Sequence, residues 1–310
     1  MRSVGFEDAA LTTYPTRLLW DAAAGDLVAS MLARWRLIAG EPYRHGESGA
    51  VLRVTTSDGR PAVLKVGFPH WEGRWEAVAL ELWGGQFAPE VLKQDAWAWA
   101  MLLERAEPGE PLSRLQASTE HALEIAARLY TEAVIARSAS TIPAGIPSLA
   151  EVVRKYVADA TARLPHHHAA LSQWGGSQAL EAAFSDAIAL AAEDRPGVLL
   201  HGDFNPGNIV RHGERWLLVD PKPLVGEPEF DLFPLIEQLG APLNQPRPAL
   251  ALAHHLERVS ALVGCDPART ARWCTIRAAL AVSWHLEDGR LAAAHAVLRE
   301  LGLWRQLSGT

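Results

Sequence analysis

The chain has 310 residues, a net charge of −7 and a hydrophobic share of 49%. That length leaves room for about two domains, each large enough for its own core. The acidic balance excludes a nucleic-acid partner that needs a basic face, and two cysteines, Cys265 and Cys274, are too few for a disulfide framework or a structural zinc site.

The opening residues, from Met1 to Asp8, lack the apolar core of a signal peptide. No run approaches the roughly 18 apolar residues of a membrane span, so a cytoplasmic protein without a membrane partner is expected. Basic charge is almost all arginine. The lysines are Lys65, Lys93, Lys155 and Lys222, which makes the apolar-flanked Lys65 conspicuous.

In chain order, the stretch up to about Arg34 is helix-compatible, with Leu27, Val28, Met31 and Leu32 on one face. Strand character follows at 35–39. Runs 51–56 and 61–66 flank Ser57-Asp58-Gly59-Arg60 and predict a hairpin. Residues 70–83 return to a helical pattern that Gly84-Gly85 stops. Further strands are predicted over 89–94 and 98–103. The charged, Pro/Gly-containing stretch from Glu104 to Pro111 then marks a domain boundary. Beyond it helices dominate, over 122–137, 149–164, 179–192, 230–239, 249–263, 267–286 and 290–301. Pro165-His166-His167-His168 reads as a polar loop, since adjacent histidines diverge and no carboxylate cluster accompanies them.

The chemistry concentrates in His201-Gly202-Asp203-Phe204-Asn205-Pro206-Gly207-Asn208 and in Asp220-Pro221-Lys222. The first follows the apolar run Val198-Leu199-Leu200, the second the run Trp216 to Val219, so loops carry these residues behind buried strands. Phosphoryl transfer asks for alignment and charge neutralisation more than for covalent help. An acid beside a hydroxyl takes its proton, and an amide with a second acid holds magnesium. Asp203, Asn208 and Asp220 supply those groups in order.

His201-Gly202-Asp203 followed by Asn208 resembles the catalytic loop of the aminoglycoside phosphotransferases, which share the protein-kinase-like fold. The continuation from Trp216 to Glu227 is most similar to the streptomycin 6-kinase and hydroxyurea phosphotransferase branch. The resemblance spans the chain from about Gly40 to its C-terminal helices. It implies an α+β, bilobal fold: a nucleotide-binding lobe over 1–104 with a small antiparallel sheet and an N-terminal helical extension, a hinge at 105–110, and a helical lobe over 111–310. It also implies ATP and Mg2+, with Asp203 as catalytic base and Asn208 and Asp220 as metal ligands.

Lys65 ends a strand, as does the kinase lysine that contacts the α/β-phosphates. Glu76 is its expected partner, with Glu81 the alternative. The loop 45–50, through Ser48 and Gly49, would cover phosphate, and Glu104 and Ala106 would meet adenine. His201 and Asp231 are expected to shape the loop. Lys222 reads either as a phosphate contact or as the partner of a local glutamate.

Two departures from protein kinases bear on the acceptor. Glycine precedes Asp203 where protein kinases commonly keep arginine, and the interval from Asp220 to Asp231 is too short for a peptide-docking segment. Both imply a small-molecule acceptor. A cationic aminoglycoside of streptomycin type, hence antibiotic resistance, would need acids, and Glu227, Glu229, Glu237, Glu287 and Asp288 are available. Ser283-Trp284-His285 resembles an acceptor-side segment, so Glu227, Glu229, Trp284 and Glu287 are the expected substrate contacts. The alternative acceptors are an amino sugar or a hydroxyurea-like metabolite. A metal-dependent phosphoesterase leaves Lys65, Asn208 and Asp220 without a common explanation, and a non-catalytic nucleotide-binding module leaves Asp203 without one.

Overall fold

The computed structural model describes residues 16–43, 49–136 and 142–309. The described residues form two compact units, one reaching to Leu112 and including Asn208–Pro223, the other comprising Ser113–Gly207 and Leu224 onward.

In the first unit, helix α1 (Arg17–Trp35) starts at Thr16, whose hydroxyl accepts from the Leu19 amide, and stops at Arg36, which turns left-handed at φ 55°. Trp35 therefore closes a helix instead of opening a strand, and β1 (Ile38–Pro42) begins later. Strands β2 (Gly49–Thr55) and β3 (Pro61–Gly67) form the expected hairpin, with Gly59 at φ 83° in its turn. With β4 (Val91–Asp95) and β5 (Ala100–Glu104) they make a five-stranded antiparallel sheet in the order β1-β2-β3-β5-β4.

Side chains alternate across a strand. Ala62, Leu64 and Val66 of β3 enter the core that Trp20 and Met31 of α1 complete, so Lys65 projects from the opposite face. The helical pattern over 70–83 resolves into a tight 3-10 segment, Trp71–Trp75, and helix α2 (Glu76–Trp83).

The stretch expected as a hinge contains a further strand, β6 (Pro108–Pro111). It pairs with β8 (Ile209–His212), which pairs in turn with β9 (Arg215–Leu218). Leu218 donates its amide to the Phe87 carbonyl at 2.7 Å, which joins this small sheet to the loop after α2.

The second unit is mostly helical: α3 (Thr119–Tyr130), α4 (Leu149–Arg163), α5 (His168–Trp174), α6 (Ser177–Ala191), α7 (Phe233–Gln238), α8 (Pro248–Val263), α9 (Pro267–Glu287) and α10 (Leu291–Ser308). Ser118 caps α3, and Ser148 with Glu151 forms a capping box on α4. Helix α3 widens into a π-helical turn, Thr131–Ile135. The three histidines do not lie in an irregular loop. His166 and His167 sit in a 3-10 turn and His168 opens α5, because Leu171 buries its side chain and draws the segment into helix. A two-stranded ladder, β7 (Val198–Leu200) with β10 (Leu224–Gly226), carries the loop that contains Asp203. Gly226 leaves room for Leu149, since a Cβ there would lie 2.6 Å from the leucine Cβ. Among the described residues no helix is long and apolar enough to cross a membrane.

Candidate active site

In the first unit the centre is Lys65, only 6% exposed. Its ammonium donates to both Glu76 oxygens, at 2.6 and 2.7 Å, and to Oδ1 of Asp220. Glu81, the alternative partner, is exposed instead. The spacing explains the choice: Glu76 opens α2, whereas Glu81 lies more than a turn further on, on another face.

Burial alone would pull the Lys65 ammonium down, but the Glu76 and Asp220 carboxylates overcome it and hold the lysine above its ordinary value. Burial pushes Glu76 up to about 7, against the pull of Lys65 and helped by the nearby Asp220 charge. Lys222 also lowers the Glu76 value through its charge, which places a second lysine in the same electrostatic neighbourhood. Of the two readings of Lys222, this favours the one that sets it near a local glutamate.

Asp220 stands just past β9 with φ 57°, a conformation that non-glycine residues seldom adopt. Asn208 stands just before β8, and its carbonyl accepts the Val219 amide at 3.0 Å. The β8–β9 ladder thus brings Asn208 and Asp220 to the same open end of one hairpin. Both offer hard oxygen donors, which suits magnesium. No cluster of three or more His, Cys, Asp or Glu able to hold a metal occurs among the described residues. The pair fits an ion that takes one or two protein oxygens and completes its shell with phosphate and water.

The remaining residues expected at a nucleotide are distributed as follows. Gly49 pairs with Gly67 at the start of β2, and a Cβ there would lie 2.3 Å from the Val66 carbonyl oxygen. The strand pairing itself requires that glycine. Ser48 lies outside the described residues. Glu104 ends β5, its carboxylate accepting the Glu90 amide at 3.3 Å and standing 3.6 Å from His212 Nε2. Ala106 follows in the segment that leads to β6.

In the second unit the centre is the loop after β7. Asp231 is buried, and its carboxylate accepts the His201 amide at 2.7 Å and the Gly202 amide at 2.8 Å. Burial raises its pKa, while the charge of His201 and the amide hydrogen bonds of His201 and Gly202 act the other way. Gly202 has φ 77°, so a side chain there would be strained. His201 is fully buried, and its Nδ1 faces the Asp203 amide at 3.3 Å. Both residues expected to shape the loop are in contact with it.

Asp203 is partly exposed. Asn205 donates its amide to the Asp203 carbonyl at 2.8 Å and its side-chain NH2 to Oδ1 at 3.1 Å. Further along, Gly207 donates to Asn205 Oδ1 at 2.8 Å and Ser113 donates to the Pro206 carbonyl at 3.0 Å. The loop is pinned through its backbone, and Asp203 stays partly exposed.

The residues expected at an acceptor do not converge. Glu227 requires correction as a substrate contact. It is 5% exposed; Arg269 donates to both its oxygens, one at 2.9 Å, and Trp273 Nε1 donates at 2.7 Å. Its carboxylate therefore clamps α9 to the end of β10. Glu229 is buried in the short turn before Asp231 and keeps one oxygen, Oε2, without a hydrogen bond. Trp284 is half-buried with its ring edge-on to Tyr156 at 5.5 Å, and Glu287 is exposed and paired with Arg163 at 2.7 Å. Sequence reasoning missed Tyr130, whose hydroxyl reaches Asp231 at 3.2 Å. Its only local signal is an aromatic on the apolar face of α3.

Residues 34–289 match the family model described as aminoglycoside/hydroxyurea antibiotic resistance kinase. The chain is 34% identical to the hydroxyurea phosphotransferase of Kitasatospora aureofaciens, over 86% of this chain and 74% of that protein. It is 31% identical to the streptomycin 6-kinase of Streptomyces glaucescens, over 88% of this chain and 86% of that one. Among solved structures it is similar to a thermostable mutant of aminoglycoside phosphotransferase APH(4)-Ia in complex with ADP and hygromycin B. The TM-score is 0.64 at 17% identity, over 91% of this chain and 99% of that chain.

Proposed function

The chain belongs to the aminoglycoside/hydroxyurea antibiotic resistance kinase family, and from that premise we propose that it moves the γ-phosphoryl group of ATP to a hydroxyl of a small molecule, with Asp203 as the base. The observation that carries the reading is the Lys65–Glu76–Asp220 constellation. It gathers a phosphate-binding cation and a metal-binding carboxylate within one unit. Bound magnesium, held by Asn208 and Asp220, supplies neutralisation of phosphate charge. Lys65 contributes positive charge toward the phosphates while Glu76 fixes its direction. Ser48 and Gly49 lie on the loop assigned to phosphate, and the backbone around Glu104 and Ala106 is assigned to the base.

In the transfer step the Asp203 carboxylate accepts the acceptor's hydroxyl proton. The acceptor oxygen forms a bond to the γ-phosphorus as the bond to the β–γ bridging oxygen breaks, and ADP leaves with those electrons. The anchored loop prepays the cost of orienting the base.

Trp284 and Glu287 are proposed to face the acceptor, which in the first reading is a guanidinylated cyclitol of streptomycin type. Glu229, with a free oxygen, belongs to the same assignment. A second reading, a small neutral acceptor such as hydroxyurea, draws support from charge: Arg269 neutralises Glu227 and Arg163 neutralises Glu287. The experiment incubates purified protein with ATP and magnesium against streptomycin, hydroxyurea and amino sugars, and follows ADP release and the gain of one phosphoryl group by mass spectrometry. Phosphorylated streptomycin or phosphorylated hydroxyurea selects between the two readings. Failure to modify every member of the panel overturns the assignment of acceptor class.

A further inference from the structure

We propose that Tyr130 is a positioning residue for the loop that carries Asp203, acting at once on the carboxylate that anchors the loop and on the aromatic ring that fills it. The proposal rests on the kinase reading only for what the positioned loop does. The contacts themselves are independent of it.

Tyr130 is fully buried at the end of α3, where the helix widens into the π-turn Thr131–Ile135. Such a widening inserts a residue into the helical register and often marks a functional position. Here Thr131 donates its hydroxyl to the Ala127 carbonyl at 2.9 Å, and Ala136 donates its amide to Thr131 at 2.9 Å. The last α-helical residue is thereby held at a fixed height beside the loop.

From that height the tyrosine makes two kinds of contact. Its hydroxyl donates to Asp231 Oδ2 at 3.2 Å and lies 3.4 Å from the Pro228 carbonyl. Asp231 Oδ2 is the same oxygen that accepts the His201 amide, and Oδ1 accepts the Gly202 amide. One carboxylate therefore gathers two consecutive loop amides and one phenol. The Tyr130 ring, meanwhile, stands 4.7 Å from the Phe204 ring at an interplanar angle of 53°. Phe204 is fully buried and follows Asp203 directly. Its other aromatic neighbour is His201, edge-on at 6.1 Å.

Asp203 thus sits between Gly202, held by the Asp231 carboxylate, and Phe204, packed on the Tyr130 ring, and Tyr130 touches both Asp231 and Phe204. The hydrogen bonds through Asn205 and Pro206 pin the later part of the loop, and Tyr130 acts on the part that leads into Asp203. A hydrogen-bond donor fixes the anchor's oxygen in direction, and a tilted aromatic pair fixes the ring in depth. Neither contact reaches substrate, so the effect on turnover is indirect.

The groups that face this cluster are His201 from the loop, Arg277 from α9, Glu229 from the turn before Asp231, and Cys265 before α9. With burial opposing ionisation of Asp231, the phenol stabilises the charged carboxylate. Its loss should therefore shift protonation of Asp231 to higher pH.

The test compares the full-length protein with Tyr130→Phe, which keeps the ring and removes the donor, and with Tyr130→Leu, which removes both. Hydrogen exchange of the His201 and Gly202 amides is read beside steady-state kinetics and thermal melts. In Tyr130→Phe, exchange at those amides should quicken selectively, and kcat should fall about tenfold. KM for both substrates should hold, and the acid limb of kcat should move to higher pH. Tyr130→Leu should enlarge the exchange effect and extend it to Phe204.

Unchanged exchange at His201 and Gly202, or an equal rise throughout the unit, overturns the proposal. So does selective quickening with kcat and the acid limb intact in an active enzyme. If the wild-type protein phosphorylates nothing, the kinase reading fails on its own, and the exchange data alone decide whether Tyr130 holds the loop.

Discussion

Lys65 in the first unit and Asp231 in the second gather their partners by opposite means. In the first, Glu76 and Asp220 share one ammonium, that of Lys65, through side-chain ion pairs. In the second, Asp231 takes two backbone amides and a phenol, with no ion pair as short as a hydrogen bond. An ion pair can exchange one charged partner for another, which suits the proposed binding of phosphates and a metal there. Backbone amides cannot be exchanged, which suits the proposed role of the loop in keeping the Asp203 carboxylate in place. Each device matches the mobility of what it handles.

Substitutions at four positions press on that contrast. Asp203→Ala removes the proposed base without touching either device. It should lower phosphate transfer by about a thousandfold or more while calorimetry still records ATP binding, and unchanged turnover would remove Asp203 from the mechanism.

Lys65→Met attacks the exchangeable side. It removes the ammonium that Glu76 and Asp220 share, and kcat/KM for ATP should fall by several hundredfold, the size of effect expected for loss of one preorganised charge donor. Lys65→Arg should restore little, because a planar guanidinium does not reproduce a compact ammonium. Recovery of full activity in that variant would argue against a directional role for Lys65.

Glu227→Gln tests whether a buried pair outside both centres is structural. Arg269 would keep only the more exposed Glu193, at 2.8 Å, as its charged partner, and chemical denaturation should show a loss of about 3 kcal/mol with KM for the acceptor unchanged. A raised acceptor KM with intact stability would return Glu227 to the substrate side.

The smallest effect is expected at Glu237, whose pKa burial and the neighbouring Glu300 raise to about 7, against the charge of Arg277. A carboxyl that binds its proton more tightly folded than unfolded stabilises the fold below its unfolded value and loses that contribution as pH rises toward 7. Wild-type stability should therefore decline between about pH 4.5 and 7 through this group. Glu237→Gln should flatten that part of the profile and be more stable near pH 8 by roughly 1–2 kcal/mol. Parallel profiles for the two proteins would show that Glu237 does not titrate in this range.

Much of the first unit was legible from residue order. Strands of period two, a turn built on Asp58-Gly59, and a lone apolar-flanked lysine are local signals, and the sheet follows them. The break in residues 70–83 was not legible. Trp71–Trp75 has helical composition, yet it forms a 3-10 turn with Gly73 set close against His70. The histidine run was misread for a related reason: Leu171, three residues beyond, supplies the buried contact that makes the region helical. Glu227 was misread because the residues that claim it, Arg269 and Trp273, lie 42 and 46 positions away.

The sequence by itself determined the order of chemical groups: a lysine on a strand, a glutamate opening a helix, and two loops bearing Asp203, Asn208 and Asp220. These are dictated by residue type and by short spacings, which local physics reads directly. Only the tertiary structure decided which groups are spent and which are free to act. Asp220 is 155 positions from Lys65 and Tyr130 is 101 from Asp231, yet both pairs are in hydrogen-bond contact. Burial sets the cost of leaving a charge or donor unpaired, and packing of distant segments settles which partner meets it.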